Sequence, residues 1–324
     1  MCTAITYLSE NHYFGRNLDF EHSFGEKIVI TARNFPFLFR NLRPVTTHYA
    51  IIGMGIVSNN FPLYFDAANE AGLSMAGLLF PGFAHYHDLK VGCDNIASFE
   101  LIPWVLSQCK SITEAKSLLN GASIADIGFS SEYPSTPMHW IISDKSGSIT
   151  VESLKEGLFI YDNAVGVLTN SPTFPMQMFV LNNYISLSSH QPKNSFSDKL
   201  ELSLYSRGMG ALGLPGDLSS SSRFVRAAFT RLNSLSPEDE QSSVSQFFHI
   251  LQSVYQTRGL NRTEESSLEI SYYSSCINTD KGIYYYTTHD NPSLNAVNMY
   301  EQELDSERVY TFPLINKWNV NYQR

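Results

Sequence analysis

Cys2, directly behind Met1, is the residue of this chain best placed to act as a nucleophile. A small second residue permits removal of the initiating methionine, which would leave Cys2 with a free α-amine. The thiolate of such a residue can attack an amide carbonyl, and its own amine, with an ordinary pKa near ~7.7–8.0, can take up the proton. An unprocessed methionine followed by a structural cysteine would give the same two letters, so this start decides little by itself.

Two charged residues, Arg16 and Asp19, interrupt the apolar segment that follows. They are three positions apart, so in a flat strand they would face opposite sides of a sheet. If both serve one site, residues 15–19 must bulge or turn, and Gly15 would permit this. The alternative is an ordinary ion pair at the end of a strand.

Composition excludes several classes of protein. The 324 residues carry a formal charge of −9, with 43% apolar and 16% charged residues, as in a well-packed globular protein. No basic run suggests nucleic acid as a partner, and no apolar stretch approaches the ~18–20 residues that span a membrane.

Cys93, Cys109 and Cys276 are far apart and lie in segments that we expect to be buried. Disulfides and a zinc site are therefore not expected, and without a secretion signal the cytoplasm is the expected location.

The elements that must position these residues come in groups. Apolar residues that recur at every second position predict strands, and apolar residues at helical spacing predict helices. Residues 186–222 are rich in Ser, Gly and Pro and predict a loop, which is long enough to be functional. Helix 223–231 should be capped by Ser221 or Ser222, and Asn170 should lie at the end of a sheet. The predicted strands are 1–8, 12–20, 27–33, 49–57, 63–68, 73–80, 139–144, 148–154, 157–161, 166–170, 268–277, 282–289, 294–299 and 308–312, and the predicted helices are 98–106, 112–120, 174–184, 223–231 and 242–256.

Grouped strands argue against a Rossmann or TIM arrangement, in which strands and helices alternate. Two largely antiparallel sheets packed together, with helices outside, account for the order. The sequence therefore predicts an α+β protein.

Six motifs in order make the chain resemble the choloylglycine hydrolase family, which includes conjugated bile salt hydrolases and penicillin V acylases. They are MCTAIT at 1–6, YFGRNLD at 13–19, NEAGL at 69–73, GVLTNSP at 166–172, LPGDL at 214–218 and SRFVR at 222–226. The resemblance implies the αββα sandwich of N-terminal nucleophile hydrolases, formed by a single domain over residues 1–324 with Met1 removed. It also implies a homotetramer without metal or cofactor.

The family's catalytic positions carry over to five residues of matching type, which are Cys2, Arg16, Asp19, Asn170 and Arg223. By this resemblance Cys2 attacks the amide, Asp19 orients its amine, and Arg16 favours the thiolate. Asn170 donates to the developing oxyanion, and Arg223 completes the charge network or meets the substrate.

Leu79 departs from the family pattern, because bile salt hydrolases usually have Asn at this position and penicillin acylases usually have Tyr. A backbone N–H of Leu79 would still serve an oxyanion hole, so the departure concerns which acyl amide is preferred. A steroid pocket is expected to involve Leu18, Phe61, Phe65 and Leu79. The loop Tyr205–Gly208 resembles that of relatives favouring glycine conjugates, with Ser206 and Arg207 contacting the conjugate.

The resemblance thus implies hydrolysis of conjugated bile salts, with glycine conjugates favoured. Penicillin V acylase activity, or cleavage of another N-acyl amide, is the alternative within the family. From another class of function, a ligand-binding protein that has lost activity would keep the fold. Against that reading, all five catalytic residue types are present.

Overall fold

The computed structural model describes residues 1–317 and 320–323. Its strands are β1 (Cys2–Leu8), β2 (His12–Phe20), β3 (Lys27–Thr31), β4 (Ile51–Ser58), β5 (Phe61–Asn69), β6 (Ser74–Leu79), β7 (Asp94–Ala97), β8 (Ala122–Ala125), β9 (Met138–Asp144), β10 (Gly147–Leu154), β11 (Gly157–Asp162), β12 (Val167–Leu168), β13 (Ile270–Asn278), β14 (Ile283–Thr288), β15 (Asn295–Asn298) and β16 (Val309–Pro313). Its α-helices are α1 (Leu101–Gln108), α2 (Ile112–Leu119), α3 (Phe174–Val180), α4 (Ser220–Asn233) and α5 (Glu240–Gln252).

Two large antiparallel sheets form the centre of the molecule. The first has the order β12-β1-β2-β13-β14-β15, and the second has the order β11-β10-β9-β6-β5-β4-β3-β16. In the first sheet β1 is paired on both sides, by β12 and β2, which holds Cys2 in register opposite Leu18. The chain therefore begins in the interior of a sheet.

Helices cover the outer faces of both sheets. Helices α4 and α5 pack against β1, β2 and β13, while α1 and α2 pack against strands of the second sheet. Between the sheets the apolar core takes Phe14 and Ile277 from one and Ile52 and Leu78 from the other, all fully buried. The predicted α+β fold with two packed antiparallel sheets is confirmed. None of the helices in the described part of the chain has the length and apolar character required to cross a membrane.

A buried histidine links the two sheets. The ring of His12 on β2 hydrogen-bonds to the hydroxyl of Thr279 and, across the interface, to the hydroxyl of Ser143 on β9, both at 2.9 Å. Burial lowers the pKa of His12 to about 4, against smaller opposing effects of Asp144 and Asp280. The ring is therefore neutral near pH 7.

The conditional bulge in residues 15–19 is not found, because β2 pairs with β1 in an unbroken register from His12 to Leu18. The register shift lies instead on the neighbouring strand β13, between Ser271 and Tyr273. Arg16 and Asp19 therefore do face opposite sides of the sheet.

Three other local predictions were wrong. Helix α4 begins earlier than predicted, with Ser219 as its N-cap accepting from the Ser222 amide, so neither Ser221 nor Ser222 caps it. The short parallel pair β7–β8 was missed. Cys93 is exposed, whereas Cys109 and Cys276 are buried as expected.

Candidate active site

Cys2 lies at the start of β1 with its side chain between the sheets. Residues directly opposite each other in an antiparallel pair share a face, so Cys2 lies on the same face as Leu18 and Arg16. Cys2 is 2% exposed, and its backbone N–H donates to the side-chain oxygen of Asn170 at 2.8 Å. The thiol therefore lies at the wall of the space between the two sheets.

Asn170 follows the two-residue strand β12, as predicted for a residue at the end of a sheet. Its Nδ2 donates to the carbonyl oxygen of Leu79 at 2.7 Å, and its backbone carbonyl accepts from the side chain of Gln177 at 2.5 Å. An amide NH₂ has two hydrogens, and the bond to Leu79 uses one of them. The other is available to a developing oxyanion.

Arg223 reaches this site from the first turn of α4. Its Nη1 donates to the carbonyl of Cys2 at 2.5 Å and to the hydroxyl of Thr3 at 2.6 Å. Its Nη2 donates to the same oxygen of Asn170 at 2.8 Å. Burial lowers the pKa of Arg223, against the opposing effect of Asp19, but a guanidinium stays charged in proteins. This cation joins the β1 backbone to Asn170.

Arg16 lies on the inner face of β2, and it spans the gap to the second sheet. Its Nη1 donates to the carbonyl oxygens of Phe65 at 3.1 Å and Gly77 at 2.6 Å. Within the described residues, its buried Nη2 has no hydrogen-bond partner. Burial lowers its pKa, but the charges of Cys2, Tyr273, Asp66 and Asp19 together outweigh burial and raise it. A buried cation therefore lies near the Cys2 thiol.

Asp19 approaches the site from the opposite face of β2. Its carboxylate accepts from the hydroxyl of Ser271 and from the side-chain amide of Gln256. Its backbone pairs with Met1, whose amine donates to the Asp19 carbonyl and forms an ion pair with Glu269. With Met1 in place, the nitrogen of Cys2 is an amide without basicity. Glu269 was not identified from the sequence.

An open cavity adjoins Cys2 between the sheets, with about 1000 Å³ of empty space including its mouth. Its polar wall at the nucleophile is formed by Cys2 and Arg16. Most of the remaining wall is apolar, and it comprises Leu18, Phe20, Phe24, Ile56, Leu63, Tyr64, Phe65, Gly77, Leu79, Ser98, Phe99, Phe129, Tyr133, Pro134, Thr136 and Met138. Such a cavity suits a large apolar acyl group whose polar end lies at the cysteine.

The residues expected to bind substrate divide into three groups. Leu18, Phe65 and Leu79 line the cavity. Phe61 lies behind its wall, where its ring packs edge-on against Phe99 at 5.9 Å between centroids. Ser206 and Arg207 are exposed in the long loop and are not among the lining residues, so their role stays a prediction.

Sequence reasoning missed a buried polar cluster behind Arg16. Asp66 on β5 is fully buried and accepts from Tyr273, Tyr284 and Ser275 of the first sheet. A signal was present, because Asp66 is the one charged residue in the apolar run 63–68. Among the residues that the structure describes, no group of three His, Cys, Asp or Glu side chains could hold a metal ion.

The arrangement can perform acyl transfer. A thiol lies beside a buried cation, an amide donor lies close to the same residue, and an apolar cavity opens at that point. These are the parts needed to attack an amide carbonyl and to stabilise the charge that develops on its oxygen.

Comparison with known proteins agrees with this chemistry. A family model described as linear amide C–N hydrolases, choloylglycine hydrolase family, matches residues 2–312. A bile salt hydrolase/transferase of Lactiplantibacillus plantarum is 53% identical over 314 residues, with 97% of each chain covered. A bile salt hydrolase/transferase of Clostridium perfringens is 39% identical over 328 residues, with 99% of each covered.

Solved structures show the same fold. The C2A mutant of the conjugated bile acid hydrolase from Clostridium perfringens superposes with a TM-score of 0.92 at 38% identity and covers 100% of both chains. A penicillin V acylase from Agrobacterium tumefaciens gives a TM-score of 0.76 at 20% identity, covering 96% of this chain and 91% of its own. At that identity, the second likeness concerns the fold alone.

Proposed function

The chain belongs to the choloylglycine hydrolase family of linear amide C–N hydrolases, and on this premise we propose that it hydrolyses bile salts conjugated to glycine or taurine. The observation that carries the proposal is the apolar cavity that opens at Cys2. A steroid acyl group is large, rigid and apolar, and burying it against such walls contributes on the order of 1.5–3 kcal/mol for each well-packed side chain. Relatives at 53% and 39% identity are named as bile salt hydrolases.

In the proposed reaction the sulfur of Cys2 attacks the amide carbonyl of the bound substrate. The carbonyl oxygen becomes an oxyanion that accepts from the second N–H of Asn170 and from the backbone N–H of Leu79. The α-amine of Cys2 takes up the thiol proton and passes it to the departing nitrogen, which leaves as glycine or taurine. Water then attacks the thioester and releases the bile acid.

Two arginines and an aspartate support this sequence in our proposal. Arg16 favours the thiolate from the inner face of β2, and Arg223 fixes the Cys2 carbonyl and the Asn170 oxygen. Asp19 orients the free amine once the backbone pairing of Met1 is gone. One oxyanion donor of the Asn170 type stabilises the transition state by on the order of 3 kcal/mol.

Removal of Met1 is part of the proposal, because the Cys2 nitrogen is basic only when it is an amine. Intact-mass measurement tests this step directly, and active protein that retains Met1 would exclude the mechanism.

We also propose that residues 1–324 act as one domain. The core that both sheets share supports this view.

Within the substrate class, we propose that glycine conjugates are preferred. The support is the resemblance of the loop Tyr205–Gly208 to that of relatives with this preference. In the single chain Ser206 and Arg207 lie away from the cavity wall, so the preference rests on the resemblance and not on a contact.

We further propose that the protein is a homotetramer in the cytoplasm. The long loop presents exposed apolar side chains, with Phe196 78% and Tyr205 81% exposed, which is the kind of surface that association covers. All four cysteines are unpaired, as is usual in a reducing compartment. Light scattering of the purified protein and cell fractionation test the two statements.

The deciding experiment measures product release from glycocholate, taurocholate and penicillin V side by side. We expect the highest kcat/KM with glycocholate and a burst of one product equivalent per Cys2 wherever deacylation is slow. Cys2→Ser is the matched control, and it should fold normally and lose nearly all activity because an alcohol is a far weaker nucleophile. Penicillin V hydrolysed tenfold better than either bile salt would replace the assignment with the acylase reading.

A further inference from the structure

A second charged residue, Asp66, lies between the sheets near Arg16, and the reaction outlined above does not use it. Asp66 on β5 accepts from the hydroxyls of Tyr273 at 2.5 Å, Tyr284 at 2.6 Å and Ser275 at 3.0 Å. Its strand bulges at the preceding residue, Phe65, whose carbonyl binds Arg16. Asp66 therefore follows, on β5, the residue whose backbone carbonyl binds the Arg16 guanidinium.

The hydrogen bonds around Asp66 have the pattern of an ionised carboxylate. An ionised carboxylate only accepts, and all three neighbours are hydroxyls that can donate. Ser275 is oriented to do so, because its oxygen accepts from the backbone N–H of Arg16 at 3.1 Å. Burial is the largest influence and raises the pKa of Asp66 above its ordinary value, while Arg16 and the three hydroxyls oppose that rise. The pKa values of Tyr273 and Tyr284 are raised by burial, so both remain donors.

The charges around Cys2 then balance in pairs. Two buried guanidinium groups, Arg16 and Arg223, are accompanied by two buried carboxylates, Asp19 and Asp66. Glu269 is paired with the amine of Met1. Among the ion pairs of the described residues, none joins either arginine to a carboxylate. The carboxylates act on the arginines through space and leave the guanidinium donors unoccupied by carboxylate.

This separation has a consequence for Arg16. A carboxylate in contact would hold one edge of the guanidinium, whereas here Nη2 keeps its hydrogens free in a residue that lines the cavity. Arg16 thus keeps a donor for the sulfur or the substrate, while its charge is partly offset from behind.

We propose that Asp66 is a positioning residue whose carboxylate offsets the charge of Arg16 and thereby sets how readily the Cys2 thiol ionises. The inference rests on the proposed function in taking Cys2 as the nucleophile. Two cations with Asp19 as the remaining counter-charge would make the thiol more acidic, and a thiolate loses nucleophilicity as its pKa falls. Asp66 keeps the thiol both ionisable and reactive.

The test is the pH dependence of Cys2 alkylation by iodoacetamide in the processed protein, without substrate. All variants carry Cys93→Ser, because Cys93 is exposed and would also react. Asp66→Asn keeps the shape of the side chain but removes its charge. We expect the midpoint of alkylation to fall by about one pH unit, since loss of a nearby negative charge stabilises the thiolate. The limiting rate at high pH should fall as well.

The matched control is Asp162→Asn, which changes net charge equally at an exposed position paired with Lys116. Its midpoint should equal that of the parent. An unchanged or raised midpoint in folded Asp66→Asn overturns the proposal. If Asp66→Asn does not fold, the double variant Tyr273→Phe/Tyr284→Phe is measured instead. Removing two donors makes Asp66 take up a proton, so the midpoint should again fall, and an unchanged value overturns the proposal.

These outcomes are distinct from failure of the proposed function. The alkylation midpoint is measured without turnover, whereas wild-type activity in Cys2→Ser would remove Cys2 from the mechanism altogether. Full activity towards bile salts together with an unmoved midpoint would refute only the role of Asp66.

Discussion

Arg223 donates a 2.5 Å hydrogen bond to the backbone carbonyl of Cys2, from a position 221 residues further along the chain. The same guanidinium reaches the side-chain oxygen of Asn170, which also accepts from the Cys2 nitrogen. One buried cation therefore fixes both the residue that would attack the substrate and the residue that would stabilise the oxyanion.

Replacing Arg223 by Lys should lower kcat/KM by about 100-fold or more. The guanidinium reaches Leu218, Cys2, Thr3 and Asn170 from three separate nitrogens, whereas a single ammonium nitrogen has three hydrogens and cannot serve all four acceptors. A misplaced oxyanion donor costs on the order of 10²–10³ in rate. Steady-state kinetics with glycocholate measure the effect. Arg226→Lys, on the same helix, is the control, because among the described residues its guanidinium binds the backbone carbonyls of Ser253, Pro215 and Asp217 and no residue of the site. Equal losses in the two variants would point to a general effect of the helix.

Leu79→Asn should change the ratio of kcat/KM for glycine and taurine conjugates by roughly 2–10-fold, which corresponds to one hydrogen bond of ~0.5–1.5 kcal/mol. The backbone carbonyl that binds Asn170 is unaffected, so kcat on the better conjugate should stay within about threefold. Leu79→Met keeps the rim apolar and should retain the wild-type ratio. A large fall in kcat with an unchanged ratio would show that the side chain serves the chemistry and not the selectivity.

Peroxide should inactivate the enzyme, and thiols should restore it, because peroxide converts a nucleophilic cysteine sulfur at the cavity wall to sulfenic acid. Burial raises the pKa of Cys109 to about 12 and raises that of Cys276 well above its ordinary value, so both should react slowly. Residual activity and the intact-mass increase of one oxygen atom are followed together. Cys93→Ser should lose activity at the wild-type rate, and protection by this substitution would assign the sensitivity to the exposed thiol.

Stability should fall as the pH drops from about 6.5 to about 4, partly through His12. The folded pKa of about 4 lies below the unfolded value of 6.5, so the unfolded chain binds the proton first. The contribution is complete above pH 6.5, decreases between the two values and is lost below pH 4, by about 3 kcal/mol in total. Lys145 and Arg231 oppose protonation in the fold, whereas Asp144 and Asp280 favour it less strongly than burial disfavours it.

Urea unfolding at several pH values measures this dependence. His12→Gln should be less stable than the parent at pH 7 and should lose less stability between pH 6.5 and 4. The control His190→Gln replaces an exposed ring and should follow the parent curve. Identical slopes in the parent and His12→Gln would assign the acid sensitivity to other groups.

Much of the fold could be predicted because local patterns specify it. The predicted strands β1 and β2, which are buried on both faces, and the buried helical stripe of Val244, Phe247 and Leu251 in α5 are confirmed. Boundaries were less predictable, as at α4, where four consecutive serines, 219–222, could each be the N-cap and the structure uses Ser219. The pair β7–β8 has four residues in each strand, too few to show a period.

The site was predictable in its residue types but not in its geometry. Arg16 and Asp19 could be named from the motif, yet which face each occupies depends on the register of β2 with its neighbour β1 and with β13, which is distant in sequence. The partners of Asp66 come from β13 and β14, more than 200 residues away. No local period encodes such contacts, and only the lone acid in an apolar strand indicated that they exist.

Placing the first strand inside a sheet sets an order of events during synthesis. Cys2 is made first, but its partners Asn170 and Arg223, and the strand β13 that completes its sheet, come late in the chain. At a typical ~5–20 residues per second, ribosomes need tens of seconds to reach them. For that time the amino terminus has no folded site to enter, and Met1 is open to a peptidase. The site around the nucleophile is therefore completed only after the middle of the chain and most of its C-terminal third have been translated.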